Sequence, residues 1–422
     1  DLFRRKMKAL LILDFILVLS AHEPEHPPGH LKPLGSHQPP VGVLDSTVFV
    51  PSSREFFDQN VLPGKPVLFK GAAKKMPAFS KWTDEYLSEK FGQEGIDVEE
   101  GKKENRSLAT FHFKLQDFIS RYKDEDIYLV ETLPAKMREE YALLKSLSCG
   151  GYTNVLQDAV VWFSSGGTKS VLHYDSVDNI NCLFDGTKEL VMINKSHLEQ
   201  AHIDKVHGAF STVDVDQVDM YKFPGLQTIP YFKAVMEPGD CFFIPARWVH
   251  QVRSYGKRNL AVNIWWAHFE KFNQSDCDDS PYKDKELIPL HHFEFHPQEA
   301  LRQATLQNIG EIPVTLERYL ELIQEDAKGL GDEVSILPRE TLAQNFHEMD
   351  SNKDGKVSPE EIYDIKYDDI GRLLTYIDDY QEEDSEDDSA DGTKEHESQS
   401  EDNNNQEMSD TESQKDRQHT EL

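Results

Sequence analysis

Short apolar runs alternate with turn residues along the middle of the chain, from about residue 159 to residue 270. Gly, Pro and Asp separate the runs, and no helical periodicity lies between them. Many short strands with turns between them are typical of an antiparallel sandwich or barrel. The runs are Ala159–Phe163, Asn181–Phe184, Leu190–Ile193, Lys233–Met236, Cys241–Ile244 and Leu260–Trp266.

Mixed patterns flank this β-rich region. Thr83 or Asp84 is a candidate N-cap for an amphipathic helix that continues to Phe91. The remaining predicted elements are strands at 67–71 and 127–130 and helices at 113–122, 312–325 and 338–349.

Composition divides the chain into domains. Residues 22–45, which are rich in Pro, His and Gly, and residues 275–310 are predicted linkers around a β-rich domain at 46–274. A helical module is predicted at 311–377. Residues 378–422 are mostly Asp, Glu, Ser, Asn and Gln, which is typical of a disordered acidic tail. The formal net charge of −31 argues against a nucleic-acid partner, because neutralising phosphates requires clustered Lys and Arg.

The N-terminal residues have the layout of a secretory signal peptide at 1–21. Basic residues precede the apolar run Ala9–Leu19, and the small pair Ser20-Ala21 follows it. Met7 is the expected start, with an upstream leader at 1–6. A signal anchor is the alternative, but the run is about half the ~20 residues that a span needs, and Asp14 interrupts it. We therefore expect no stable membrane span.

The C-terminus and the sequons predict residence in the lumen of the endoplasmic reticulum. The last four residues, His419-Thr420-Glu421-Leu422, resemble the Lys-Asp-Glu-Leu retrieval signal, so the retrieval receptor is an expected partner. Asn-x-Ser sequons at Asn105, Asn194 and Asn273 predict a glycoprotein.

Cysteines are few: Cys149, Cys182, Cys241 and Cys277. An oxidising lumen allows one or two disulfides, whose pairing cannot be derived from the sequence. Cys182 and Cys241 lie in apolar runs, which favours a buried free thiol for at least one of them.

Three residues form a candidate metal site. His173-Tyr174-Asp175 is a His-x-Asp motif, and positions i and i+2 of a strand face the same side. His250 supplies a second imidazole at the end of another apolar run. Two histidines and one carboxylate on one face of an ion leave positions open, which suits non-haem Fe(II) oxygen chemistry. A lone His-x-Asp is uninformative, so the prediction needs further support.

Lys188 supplies that support, fifteen residues after His173 and beside the apolar run Leu190–Ile193. If its head points inward, it needs a partner, and the far carboxylate of an iron-chelating dicarboxylate would serve. Ser170 could add a hydrogen bond. The alternative is that Lys188 extends its head to solvent.

The residues from about 53 to 270 carry a family resemblance. The run Trp162–Asp175 resembles the segment that leads into the iron ligands of JmjC/cupin-like Fe(II)- and 2-oxoglutarate-dependent hydroxylases, especially their asparaginyl-hydroxylase-like members. Asn179, Gly186 and Lys188 match that pattern, as do Gly239–His250 and Asn263–Trp265.

The resemblance implies a fold, cofactors and roles. The expected fold is mainly β, a double-stranded β-helix (jelly-roll, cupin) with flanking helices. The prediction of an additional small α-helical EF-hand module rests on residues 350–361 and not on this resemblance. Fe(II) would be held by His173, Asp175 and His250. The residues expected to hold or line 2-oxoglutarate are Lys188, Ser170, Asn179, Asn263 and Trp265.

Residues 350–361 fit a twelve-residue EF-hand loop. Gly355 provides the sharp turn, and Val357 is expected to make the short β contact. EF-hands usually pair, so a degenerate partner unit within about 300–337 is one expectation and a missing partner the other. An empty, degenerate loop is the alternative to calcium binding. The predicted Ca2+ ligands are Asp350, Asn352, Asp354, Lys356 through its carbonyl, Ser358 and Glu361.

Two functions from different classes remain. The first is a dioxygenase that hydroxylates a protein or peptide substrate in the secretory pathway, which the triad together with Lys188 favours. Demethylation fits less well, because chromatin is absent from that compartment. The second is a Ca2+-binding chaperone or scaffold with a non-catalytic cupin domain. A zinc-dependent cupin is a third reading, against which Lys188 and Ser170 argue.

Overall fold

The computed structural model describes residues 26–102, 110–203, 209–283, 285–310, 312–330 and 334–377. The predicted signal peptide, the sequon at Asn105, the acidic tail and the retrieval signal lie outside these residues. No helix within the described ranges is both long and apolar enough to cross a lipid bilayer.

Ten strands form one mixed sheet, which confirms the predicted mainly β fold. The strand order within the described residues is β1-β2-β10-β8-β11-β7-β5-β3-β4, and β9 pairs with β8. The ten strands are β1 (Asp45–Thr47), β2 (Val67–Phe69), β3 (Gly95–Glu100), β4 (Thr110–Lys114), β5 (Ile127–Thr132), β7 (Leu156–Ser164), β8 (Asp178–Ile193), β9 (Phe232–Met236), β10 (Cys241–Ile244) and β11 (Val249–Trp266). A separate pair joins β6 (Ala142–Leu144) to β12 (Leu287–Pro289).

The long strands β8 and β11 pair antiparallel along most of their length, and the register shifts beside Gly186, between Tyr255 and Leu260. Two separately predicted runs therefore merge in β8. Gly186, at φ +78°, allows this irregular pairing, since a Cβ there would lie 2.6 Å from the carbonyl oxygen of Arg258.

Two apolar layers hold the sheet. Its outer face packs against helices, including α3 (Asp84–Phe91), for which Thr83 is the confirmed N-cap. Its inner face lines the jelly roll. Successive side chains along each strand point alternately to the inner and to the outer face. The inner cluster includes Leu183, Leu190, Met192, Met236, Phe242 and Trp248.

Short helices complete the β domain. The helix predicted at 113–122 is correct only from Leu115, because Phe111 and Phe113 lie in β4, which pairs with β3. The helices are α1 (Ser53–Phe56), α2 (Pro77–Lys81), α3, α4 (Leu115–Arg121) and α5 (Gln274–Asp279).

All four cysteines are paired, so the expectation of a buried free thiol was wrong. Cys182 bonds to Cys241, and Cys149 bonds to Cys277. Cys182 and Cys241 lie opposite each other because β8 and β10 are neighbours in register, which the sequence does not reveal.

Both predicted linkers are integral to folded units. In the first, Leu34 is buried, and a ring nitrogen of His37 donates to the carbonyl oxygen of Ile229 (2.8 Å). In the second, Ile288 and Leu290 are buried with the β domain. The polar composition of both segments led to the prediction of linkers. A few apolar side chains at spaced positions are nevertheless enough to bind such a segment to the sheet.

A helical module follows, as predicted, but it begins earlier, at α6 (Glu299–Ile309), and continues with α7 (Leu316–Leu330). The strands β13 (Val314–Thr315) and β14 (Lys356–Val357) pair antiparallel, with Val314 opposite Val357. α6, β13 and α7 thus form a helix–loop–helix unit beside the predicted calcium loop. The helices are α6 (Glu299–Ile309), α7 (Leu316–Leu330), α8 (Arg339–Met349), α9 (Pro359–Asp364) and α10 (Tyr367–Leu374).

Candidate active site

His173, Asp175 and His250 converge at one end of the jelly roll. One ligand atom from each lies within 4.8 Å of the other two, and among the described residues this is the group of three His, Cys, Asp or Glu ligands that meets that spacing. Nε2 of His173 is 3.9 Å and Nε2 of His250 is 3.7 Å from the Asp175 carboxylate oxygens. Two imidazoles and one carboxylate at these distances fit a divalent metal with open positions.

Backbone pairing brings the first histidine to the second. His173 lies outside the named strands, and its N–H donates to the carbonyl oxygen of His250 (3.1 Å), while the His250 N–H donates back (2.7 Å). The predicted placement of the motif on a strand is corrected to a loop before β8. The side chains of His173 and Asp175 nevertheless converge. An isolated β-bridge pairs the backbone of His173 with that of His250 and so orients His173.

Both imidazoles are held in the form that binds a metal. Nδ1 of His173 lies 3.0 Å from the carbonyl oxygen of Val171, and Nδ1 of His250 lies 2.8 Å from that of Trp248. A carbonyl can only accept, so each Nδ1 carries a proton, and Nε2 is the ring nitrogen that each histidine directs to a metal. Burial and the nearby His173 lower the pKa of His250 to about 4, which keeps this ring neutral at physiological pH.

A chain of amides orients the ligand carboxylate. Asn179 donates to Oδ2 of Asp175 (3.0 Å) and accepts from Asn263 (3.2 Å). Asn263 in turn accepts from Asn181. Two residues predicted to hold 2-oxoglutarate, Asn179 and Asn263, therefore contact the metal-ligand network directly.

Lys188 is buried inside the jelly roll, so the solvent-directed alternative was wrong. Its side chain is 4% exposed and shares the inner face of β8 with Leu190 and Met192. Nζ donates to the hydroxyl of Ser254 (3.2 Å). Burial lowers the pKa of Lys188 to about 8, and within the described residues no carboxylate neutralises it. An anionic ligand would supply the missing partner.

The remaining predicted co-substrate residues lie around the same interior. Ser170 accepts a hydrogen bond from the backbone N–H of Val252 (2.9 Å), so its own hydroxyl proton remains available to a ligand. Trp265 lies opposite Asn179 in the register of β8 and β11. Its indole N–H is buried and has no hydrogen-bond partner among the described residues, as is true of Trp162. Such orphaned donors fit a site built for a polar ligand.

Sequence reasoning missed Ser254, Asn181 and the ion pair of Asp178 with His268. Ser254 could have been found, since His250 and Ser254 are four residues apart on a strand and thus share a face. The ion pair could not. Nδ1 of His268 is 2.7 Å from Asp178, which is fully buried, and only the fold brings these residues together.

The predicted calcium loop has the expected turn. Gly355 is at φ +83°, and its N–H donates to Oδ2 of Asp350 (2.9 Å). Glu361 is buried and accepts from the N–H groups of Asn352 (3.2 Å) and Ser358 (2.9 Å). Asn352 and Asp354 accept further backbone hydrogen bonds within the loop. Lys356 lies in β14, directly after the turn at Gly355. The predicted ligand residues, which extend from Asp350 to Glu361, therefore share one compact turn.

A jelly roll that presents two histidines and an aspartate at one end is typical of cupin-type proteins. The model of the cupin-like domain family matches residues 53–272, or 220 of the 422 residues, and the chain belongs to that family.

Curated relatives cover the same part of the chain. Lysine-specific demethylase 8 of Xenopus tropicalis is 27% identical over 54% of this chain and 55% of its own. Jumonji C domain-containing protein 5 of Drosophila melanogaster is 25% identical over 51% and 58%. tRNA wybutosine-synthesizing protein 5 of Gallus gallus is 27% identical over 53% and 78%. The chain spans little more than half the length of the first two.

Proposed function

We propose that the protein is an Fe(II)- and 2-oxoglutarate-dependent oxygenase that hydroxylates a protein or peptide side chain. The observation that carries this proposal is the buried, carboxylate-free Lys188 in the same interior as the triad. A metal site alone would suit several cupin functions, whereas a buried cation without an anion calls for an anionic co-substrate.

His173, Asp175 and His250 would hold Fe(II), and when bound it supplies oxygen activation coupled to decarboxylation of 2-oxoglutarate. Lys188, with the Ser254 hydroxyl beside it, would hold the far carboxylate. The amide chain keeps the Asp175 carboxylate in one orientation. The apolar wall of the jelly roll excludes water from the co-substrate.

The names of the relatives do not determine the substrate. They include a lysine demethylase and a tRNA-modifying protein, and the net charge of −31 disfavours tRNA for this chain. Hydroxylation of a protein side chain in the secretory pathway agrees with the predicted signal peptide and retrieval signal.

The test is anaerobic reconstitution with Fe(II) and 2-oxoglutarate. We expect a visible charge-transfer band that requires both ligands and is lost in Lys188→Ala. The matched control is Lys233→Ala, which removes a half-exposed lysine paired with Glu189 on a neighbouring strand. No band from folded protein would favour the alternative, a calcium-binding scaffold.

We further propose that residues 350–361 bind Ca2+. The closed turn at Gly355 and the buried Glu361 support this, as does the β13–β14 pairing, which supplies the paired-loop arrangement of EF-hands. The arrangement favours the degenerate partner over the missing one.

Glu361→Gln removes one charge from the loop and should weaken Ca2+ binding at least about tenfold, as measured by titration calorimetry. Glu360→Gln is the matched control, since Glu360 is exposed and lies outside the predicted ligand set. Equal affinities in the two variants would contradict the assignment.

A further inference from the structure

A buried ion pair lies just beyond the triad and has no role in the proposed chemistry. Nδ1 of His268 is 2.7 Å from Oδ2 of Asp178. The side chain of Asp178 is fully buried, and that of His268 is 23% exposed. Because removing two charges from water costs about as much free energy as their attraction returns, a buried pair adds little stability over an apolar one. The geometry that this pair imposes on its neighbours is therefore the property to explain.

The side chain of Asp178 lies outside the jelly roll. Asp178 and Asn179 are the first two residues of β8, and consecutive side chains of a strand point to opposite faces. Asn179 points inward, where it donates to the Asp175 carboxylate (3.0 Å). Ile180 and Cys182, which share the face of Asp178, belong to the outer core. Asp178 can therefore shape the metal site only through other residues.

The carboxylate of Asp178 joins three segments of the chain. Asp178 itself begins β8, and its Oδ2 accepts from His268, which follows β11. Its Oδ1 accepts from the N–H of Ala246 (2.8 Å), in the loop between β10 and β11. Since both oxygens are bonded, His268 fixes the direction in which Asp178 presents its second oxygen to Ala246.

The loop that Asp178 holds contacts a metal ligand. Arg247, which follows Ala246, adopts φ +64°, and its N–H donates to the carbonyl oxygen of Asp175 (2.7 Å). A positive φ is unfavourable for a residue other than glycine, so surrounding contacts must hold this turn. Asp175 is thus held at its backbone by Arg247 and at its carboxylate by Asn179, and each of these residues directly follows one end of the bond between Ala246 and Asp178.

We propose that Asp178, oriented by His268, is a positioning residue of the oxygenase site. It holds the turn at Ala246–Arg247 against Asp175 and so fixes the direction in which the ligand carboxylate faces the metal. The inference rests on the proposed function and adds to it a residue that acts from outside the jelly roll. It predicts that the shape of the side chain at position 178 matters more to Fe(II) affinity than its charge does.

Two substitutions separate shape from charge. Asp178→Asn removes the charge and keeps the shape, since its amide oxygen can accept from Ala246 and its NH2 group can donate to Nδ1 of a neutral His268. Asp178→Glu keeps the charge but is one methylene longer, which displaces the carboxylate in a packed interior. Positioning predicts that Fe(II) affinity falls about tenfold or more in Asp178→Glu and less than about threefold in Asp178→Asn. A direct electrostatic effect of Asp178 on the metal predicts the reverse order.

The measurement is a titration of the full chain with Fe(II) under anaerobic conditions and excess 2-oxoglutarate, followed by the charge-transfer band. Chemical denaturation of the metal-free protein reports the folding of each variant separately.

The matched control is Glu299→Asp, which shortens by one methylene the buried ion pair of Glu299 with Arg302 in the helical module (2.7 Å). It perturbs a comparably buried pair and should leave the Fe(II) affinity unchanged. A loss as large as that of Asp178→Glu would reveal a general effect of destabilisation and overturn the role assigned to Asp178.

The outcomes separate the inference from the function on which it rests. Unchanged Fe(II) affinity in folded Asp178→Glu, or a larger loss in Asp178→Asn than in Asp178→Glu, would overturn the inference and leave the oxygenase proposal standing. If the unmodified protein gives no band, the proposed function fails, and the inference fails with it.

Asp178→Ala replaces Asp178→Glu if the longer side chain prevents folding. Alanine removes both hydrogen bonds of the carboxylate without adding volume, so this variant should bind Fe(II) about tenfold or more weakly than Asp178→Asn, although both lack the charge. Equal Fe(II) affinities of Asp178→Ala and Asp178→Asn would overturn the inference.

Discussion

At the scale of single residues, burial decides which side chains can carry chemistry. Two imidazoles whose Nδ1 atoms are bonded to backbone carbonyls direct their Nε2 atoms to one point, beside a carboxylate oriented by Asn179. Lys188 is a buried cation, and none of the described carboxylates forms an ion pair with it. Its chemistry leads to a prediction about pH.

Binding of 2-oxoglutarate should weaken as the pH rises above about 8. Burial lowers the pKa of Lys188 to about 8, so in the free protein this group is charged below that pH and neutral above it. Because the dicarboxylate binds the charged form, its dissociation constant should rise up to about tenfold per pH unit beyond that point. Titrations of the charge-transfer band at pH 7 to 9.5 measure it.

Lys188→Arg is the control for this pH dependence. Arginine keeps its charge over the whole range, so a variant that still binds 2-oxoglutarate should show a flat profile above pH 8. A flat profile in the unmodified protein would mean that Lys188 does not hold the co-substrate.

At the scale of elements, one glycine in the middle of β8 allows this long strand to pair closely with β11. Gly186 has a positive φ, and a Cβ there would lie 2.6 Å and 2.7 Å from the carbonyl oxygens of Arg258 and Tyr255. Asn179 and Lys188 lie on the two sides of this glycine in β8.

Gly186→Ala should lower the free energy of unfolding by about 2–4 kcal/mol, since the new Cβ adds a clash to an unfavourable φ. Gly64→Ala is the matched control: Gly64 has φ +60°, but a Cβ there meets nothing within 4 Å. It should cost only about 1 kcal/mol. Chemical denaturation compares the two, and equal losses would show that the close approach at Gly186 does not matter.

At the scale of the whole molecule, two disulfides join distant parts of the chain. Cys149 and Cys277 are 128 residues apart, and their bond ties the segment after β11 to the β domain. Paired cysteines are typical of oxidising compartments. They support the proposal of a lumenal protein, together with the exposed sequon at Asn273, which precedes α5.

Protein expressed in a secretory host should therefore carry an endoglycosidase H-sensitive glycan at Asn273 and four thiols that resist alkylation without a reductant. Endoglycosidase treatment of the purified chain, with Asn273→Gln as control, measures the first, and alkylation followed by mass spectrometry measures the second. Free thiols and an unmodified Asn273 would contradict a lumenal location.

The sequence by itself determined the class of fold and the residues of the metal site. Alternating apolar runs define strands whichever way they pair, and His173, Asp175, His250 and Lys188 are recognisable together, by their match to a family pattern. The EF-hand pattern at 350–361 is likewise local, because a single turn contains all its predicted ligands.

Tertiary structure alone decided the rest. Whether Lys188 points inward depends on which face of β8 lines the jelly roll, and the pairing of Cys182 with Cys241 depends on the register of β8 and β10. Residues 22–45 and 275–310 were wrongly predicted to be linkers, because the sequence of a mostly polar segment shows few of the contacts that hold it to the fold. The ion pair of Asp178 with His268 joins residues 90 positions apart, and no local pattern encodes a contact that only the packing of the folded chain creates.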